Sequence, residues 1–374
     1  MKRDPVSMLF TALAVASLSA AAFSGRADLG GVEAPAPAGA ARPPGNTGQA
    51  PPGHDAAKPS DIPARGWWAI AKRVAAKISG DRLLTEAAAI TFYALLALFP
   101  ALAAAVSLYG LVADPATIAD HLDALSGVVP GGGMQIISDQ VHSLAANTGK
   151  ALGFAALLGL ATSLWSANQG TKALFDALNV VYAETEKRGF LLRTAVTLAF
   201  TLGGIIFVLL AMTAVVAVPV VLGFVGLGGV ADLMVRILRW PLMLVALAAL
   251  LACIYRFGPS RERARWQWVS WGGGFAAVAW VAGSIAFSWY VSHFGSYDKT
   301  YGSLGAAVGF LTWIWLSATI VLVGAELNAE AEQQTARDTT TGPEQAPGRR
   351  GARKADAVAA ASEGRSPPSR PVAG

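Results

Sequence analysis

The strongest constraint on this chain is a series of long stretches that contain no charged residue. Leu304–Ala325 runs 22 residues without a charge, Val269–Ser292 runs 24, and Thr194–Ala231 runs 38. About 20 apolar residues in helical form cross the hydrocarbon layer of a bilayer, and only a helix or a closed barrel satisfies its own backbone there. Runs this long predict helices. The chain is only 14% charged and 54% hydrophobic, against about 25% charged in a soluble domain. The expected fold is therefore all-α, a polytopic membrane helix bundle.

Six core transmembrane helices are expected, near 84–112, 151–169, 194–218, 233–256, 268–292 and 304–326. Pro100 falls inside the first, removes a backbone donor and predicts a kink. Pro219 and the glycines at 223, 226, 228 and 229 predict the end of the third and a tight turn. The fourth is the least apolar, because Arg236 and Arg239 precede its uncharged stretch and must snorkel or face protein. Trp67 and Trp68 among Arg65, Lys72, Arg73 and Lys77 predict an amphipathic interfacial helix ahead of the bundle.

Four segments follow. Residues 1–25 form an N-terminal hydrophobic segment, with Lys2 and Arg3 ahead of an uncharged run. It has the features of a secretory signal and is also long enough to span; the expectation is an extra N-terminal helix, N-out, rather than a cleaved leader. Residues 26–63 contain eight prolines and predict a disordered Pro/Ala/Gly linker. Residues 64–335 are the membrane domain, and 336–374 predict a disordered cytoplasmic tail.

Lysine and arginine counts predict the orientation. Thirteen (Arg65, Lys72, Arg73, Lys77, Arg82, Lys172, Lys187, Arg188, Arg193, Arg256, Arg261, Arg263, Arg265) fall in one set of loops. Four (Lys150, Arg236, Arg239, Lys299) fall in the other. The core is therefore expected N-in and C-in, with the acidic loop 113–149 outside.

The stretch Trp165–Tyr182 breaks the apolar pattern. Asn168, Lys172, Asp176 and Asn179 fall within about 80° on a helical wheel, opposite Leu174, Leu178 and Val181. Two readings are open: a helix lying on the bilayer surface, or the wall of an internal polar cavity. In the cavity reading, Glu86, Asn168, Lys172, Asn179, Tyr182, Glu326 and Asn328 are the candidate substrate-binding residues, with Glu326 and Lys172 a natural charge pair. Gly302, Gly305 and Gly324, with Pro100, are the candidate packing and gating residues. Gly272–Gly274 would let helices approach closely or break the fifth helix.

Several motifs together are similar to a known family. They are Ala87–Pro100 (AAAITFYALLALFP), Trp165–Asn168 with Ala177–Tyr182, Arg256–Pro259 (RFGP), Tyr301–Ala306 (YGSLGA) and Gly324–Asn328 (GAELN). With six spans they resemble the YihY/BrkB family of bacterial inner-membrane proteins over about residues 65–332. The resemblance implies a multi-pass inner-membrane protein linked to the movement of an envelope lipid or solute. The alternative is a structural or scaffolding membrane protein that recruits partners through its tails.

The family was formerly labelled ribonuclease BN. Metal-dependent hydrolysis needs clustered ligands. The four histidines, His54, His121, His142 and His293, are scattered, and the chain has no HExxH and no glycine-rich phosphate loop followed by lysine. His121, Asp123, Asp139 and His142 could collect a cation outside the membrane, but the reading taken is solvated loop residues. The lone Cys253 excludes an intramolecular disulfide. The expectation is no enzyme, no metal, no cofactor and no nucleic acid, with membrane lipids and envelope proteins as partners.

Overall fold

The structure, a computed structural model, describes residues 50–112, 150–225, 230–294 and 303–359. The N-terminal hydrophobic segment, the acidic loop with His121 and His142, and Gly302 lie outside the described residues.

The described residues form an all-α membrane bundle. A 3-10 turn at Pro59–Asp61 leads into α1 (Ala64–Gly80). The long helices are α2 (Leu83–Val112), α3 (Lys150–Val181), α4 (Phe190–Val225), α5 (Val230–Phe257), α6 (Trp266–Phe294) and α7 (Ser303–Gln334); a single turn, α8 (Arg353–Asp356), follows. By length and composition, four stretches among the described residues are apolar enough to cross a membrane: Phe190–Ala211, Ile237–Phe257, Trp266–Val291 and Ala307–Gln334. Their large side chains face outward, among them Leu202, Ile206, Leu210, Val245 and Ile285. In lipid there is no gain in hiding them.

The main core lies toward one end of the bundle. Leu83, Phe175, Leu178, Val181, Tyr255, Val269 and Leu322 are fully buried there. α1 lays Ile70 and Val74 against Trp268 and Ala331 and exposes Trp68, as its amphipathic pattern requires. Arg82 takes a positive φ of 51° at the corner between α1 and α2. α2 continues through Pro100 to Val112.

The structure decides two open readings and revises one expectation. First, Trp165–Tyr182 is no surface helix. It forms the last turns of α3, which at 32 residues is about 48 Å long, well beyond the ~30 Å of hydrocarbon. Its apolar residues Phe175, Leu178 and Val181 point into the protein core, not into lipid. Second, Gly272–Gly274 does not break α6, which is continuous. Asn328 of α7 instead inserts its side chain, accepting from the Gly272 N–H at 2.7 Å and donating to the Val269 carbonyl at 3.1 Å. Third, neither flank is disordered throughout. Residues 50–63 and 335–359 are ordered and bound to each other: Ala336 N–H donates to His54 O at 2.7 Å, and Thr335 Oγ1 to Ala56 O at 2.8 Å. Ala264 and Thr340 form an antiparallel bridge. Arg350 gathers the carbonyls of Ala336, Arg337, Gln345 and Ala355. A composition rich in Gly, Pro and charge hides this, because the stabilising partners are backbone groups elsewhere in the fold.

The crossing of α6 and α7 depends on glycine. A Cβ on Gly272 would overlap the Gly324 carbonyl and come 2.5 Å from Asn328 Oδ1. A Cβ on Gly324 would lie 2.6 Å from the Tyr255 hydroxyl and 2.7 Å from Ala276 Cβ. A Cβ on Gly274 would meet nothing within 4 Å. Gly272→Val is therefore expected to destabilise the protein by about 1–3 kcal/mol and to lower the yield of monodisperse protein in detergent. Gly274→Val should leave both unchanged. Equal behaviour of the two variants in a thermal-shift assay would refute this account of the crossing.

Candidate functional site

Four of the seven candidate cavity residues, Asn179, Tyr182, Glu326 and Asn328, sit buried at the end of the bundle where α3, α5 and α7 finish. Their polar groups face other protein groups. Asn179 accepts the Ser260 N–H at 2.7 Å and donates to Glu186 Oε2 at 3.2 Å, pinning the end of α3 to the loop after α5. Asn328 is the insert in α6 described above. The Tyr182 ring lies under the Arg261 guanidinium, 4.1 Å from its centroid. Burial pushes the Tyr182 phenol upward, with nearby Arg261 pulling against it.

Charges at this end are matched in pairs. Arg261 and Glu332, with side chains at 0% exposure, make a two-point contact at 2.7 and 2.8 Å. Burial alone would lower the Arg261 guanidinium, but the charge and hydrogen bonds of Glu332 hold it above its usual value. Arg73 donates to Glu330 at 2.5 Å, and Lys354, from the C-terminal segment, reaches Glu330 at 2.6 Å. Glu326 is fully buried, neither of its oxygens accepts a hydrogen bond among the described residues, and its cation is Lys354 at 3.6 Å. The charge pair expected between Glu326 and Lys172 is therefore replaced by one with the tail. Arg188 grips Glu186 at 2.7 and 2.8 Å and donates to the Phe257 and Gly258 carbonyls that end α5. Burial raises the Glu186 carboxyl, but hydrogen bonds and charge from Arg188 outweigh this and hold it at about 2.

The remaining candidates lie elsewhere. Asn168 is buried, and its Oδ1 has no partner among the described residues. Glu86 is half-buried in the first turn of α2. Lys172 lies over Trp165 and Phe190, 5.6 Å from each centroid, while Asp176 pairs with Arg193 at 2.6 Å. Lys172→Ala should then cost about 1 kcal/mol of stability, the scale of a partly exposed cation–π contact. A loss of all folded protein would show that Lys172 holds a buried charge after all.

Two cavities open beside this cluster, on the flank formed by α4 and α5, and none of the seven candidates lines them. The first, about 420 Å³, is apolar: Phe200, Gly204, Ile205, Val208, Leu209, Leu250 and Ile254 form most of it, with Thr171 and Thr201. The two threonines bond each other at 2.8 Å and join α3 to α4. The second, about 670 Å³, is basic: Lys187, Arg188, Arg256, Arg261 and Arg263 line it, with Glu262 as its acid, and Leu192, Val196 and Phe257 supply an apolar wall. Phe200 borders both. Lys187, Arg188 and Arg261 are paired with Glu184, Glu186 and Glu332. Among the described residues the buried Nε and Nη1 of Arg256 have no hydrogen-bond partner, and its guanidinium stacks on Trp266, 4.4 Å from the centroid.

Sequence reasoning counted Arg188, Arg256 and Arg263 only as markers of orientation. The available signal was the RFGP motif, which begins at Arg256. Among the described residues, no three His, Cys, Asp or Glu side chains gather closely enough to hold a metal ion.

Comparison with known proteins places this architecture. The chain is 28% identical to the ribonuclease-like protein YfkH of Bacillus subtilis, over 66% of this chain and 88% of the relative. It is 25% identical to a UPF0761 membrane protein of Pseudoalteromonas translucida, over 73% of this chain and 88% of the relative. A UPF0761 membrane protein of Vibrio cholerae is 28% identical over 68% of this chain and 84% of its own length. No solved structure gives a significant match. The family model described as Virulence factor BrkB matches residues 74–349, from within α1 to the tail segment that carries Arg350. The six long helices and the glycine crossing fall inside that match, with Arg73 and Lys354 of the charged cluster just beyond its two ends, and the chain belongs to the Virulence factor BrkB family.

Proposed function

We propose that this protein moves an amphiphilic envelope component across or along the bacterial inner membrane, with both ends of the core in the cytoplasm. One observation carries the reading: the flank formed by α4 and α5 has an apolar cavity and a basic cavity in succession, sharing Phe200. An amphiphile needs both surfaces at once. The exposed Ile205 and Val208 put the apolar part at the outer surface of the bundle, where a lipid can enter from the side. The thirteen-to-four bias of basic residues supports the orientation. The partners are then membrane lipids, the activity is transport and no hydrolysis is invoked.

The test uses purified full-length protein in liposomes of phosphatidylethanolamine and phosphatidylglycerol that carry a trace of headgroup-labelled fluorescent lipid. Dithionite added outside should quench label from both leaflets, where protein-free liposomes lose only the outer-leaflet signal. Loss of the outer-leaflet signal alone, in vesicles with verified protein incorporation, would overturn the reading.

A further inference from the structure

We propose that the flank of α4 and α5 is a binding site for one glycerophospholipid with an anionic phosphate headgroup, which Arg256 and Arg263 hold while an acyl chain lies along Phe200–Leu209. The proposal rests on the transport reading for its role, but not for its existence as a site.

Charge is the first argument. Five cationic side chains line the basic cavity, and three of them are neutralised by Glu184, Glu186 and Glu332. Arg256 and Arg263 take part in no ion pair among the described residues. Both guanidinium groups lie over the same Phe257 ring, 5.6 and 5.1 Å from its centroid, so the two like charges are separated by no more than the sum of those distances. Arg256 is half-buried and Arg263 exposed, so an anion can reach both and offset their mutual repulsion. Guanidinium groups offer planar pairs of N–H donors that match phosphate oxygens, and both arginines line the basic cavity. The one acid in the wall, Glu262, is too little to neutralise both.

Length is the second argument. From Phe200 to Leu209, α4 rises about 14 Å, close to half of the ~30 Å hydrocarbon layer. The apolar cavity therefore extends through about one leaflet, starting where the basic cavity ends. Phe200, Gly204, Val208 and their neighbours Thr201, Ile205 and Leu209 recur every fourth residue and form a single stripe of α4. Gly204 makes the floor of the groove; a Cβ there would meet nothing within 4 Å. A free phosphate would use only the basic cavity, whereas a phospholipid uses both.

The test is native mass spectrometry of the full-length protein, released from detergent micelles with defined amounts of phosphatidylglycerol or phosphatidylcholine. Wild-type protein should retain phosphatidylglycerol about tenfold or more over phosphatidylcholine, a difference of about 1.4 kcal/mol. R256Q/R263Q should lose that preference, and R256K/R263K should recover part of it, which separates lost charge from lost folding. Gly204→Leu, which fills the groove without touching a charge, should weaken phosphatidylglycerol binding. Inorganic phosphate at millimolar concentration should not displace the lipid. Equal retention of the two lipids by wild type, an unchanged preference in R256Q/R263Q, or displacement by phosphate alone would each overturn the site. Selective binding without dithionite-accessible inner-leaflet label would leave the site standing and remove the transport reading instead.

Discussion

Arg261→Ala is expected to destabilise the protein by about 3–5 kcal/mol, the largest effect of any single truncation considered. Arg261 and Glu332 both have side chains at 0% exposure and are joined at 2.7 and 2.8 Å. Removing the guanidinium leaves the Glu332 carboxylate buried with a single hydrogen bond, from Thr339 Oγ1 at 3.1 Å. It also strips the cation from the Tyr182 ring. The comparison is Arg193→Ala, whose partner Asp176 has a side chain 54% exposed. Water takes over that carboxylate, so the loss should stay within about 1 kcal/mol. Thermal unfolding in detergent should separate the two variants widely. Arg261→Met with Glu332→Leu should recover much of the loss, because a well-packed apolar pair avoids the cost of burying both ions. Similar melting of Arg261→Ala and Arg193→Ala would sink this account.

Lys354→Ala is expected to cost about 3 kcal/mol and to free the C-terminal segment. Lys354 lies on the single-turn α8, 2.6 Å from Glu330 and 3.6 Å from Glu326, with its side chain 7% exposed. Glu330 retains Arg73, but among the described residues Glu326 has no hydrogen bond and would be left without a cation within 4 Å. Residues 335–359 also reach Glu184, which accepts the Arg353 N–H at 2.7 Å. Limited proteolysis should therefore cut Lys354→Ala within this segment at protease levels that leave wild type whole. Adding Glu326→Gln removes the stranded charge and should restore most of the melting temperature, even though the tail stays loose. An uncut, wild-type-like Lys354→Ala would show that the segment is held by its backbone bonds alone.

Much of the fold was legible because hydrocarbon imposes a simple rule. The uncharged stretches at 194–231, 269–292 and 304–325 correspond to α4, α6 and α7. The candidate site was only half legible. Asn179, Tyr182, Glu326 and Asn328 do gather, as buried polar residues in so apolar a chain must. Their partners were illegible, because Ser260, Arg261, Gly272 and Lys354 come from other elements. The α4–α5 flank was missed for a related reason. Arg256 reads as an orientation marker in one dimension, and only the fold reveals that Arg263 shares its ring.

By itself the sequence determined that this chain is a bundle of membrane helices and which residues share a helical face. Both follow from local physics: a backbone in lipid must bond to itself, and a helix turns by 100° per residue. Only the tertiary structure decided what each face meets. It buried the apolar face of α3 in the protein core instead of in lipid, and it ordered a tail of weak local propensity by giving Lys354 two buried carboxylates. It also set an apolar cavity beside a basic one on the α4–α5 flank. Those outcomes depend on contacts between residues tens to hundreds of positions apart, and no local pattern encodes them.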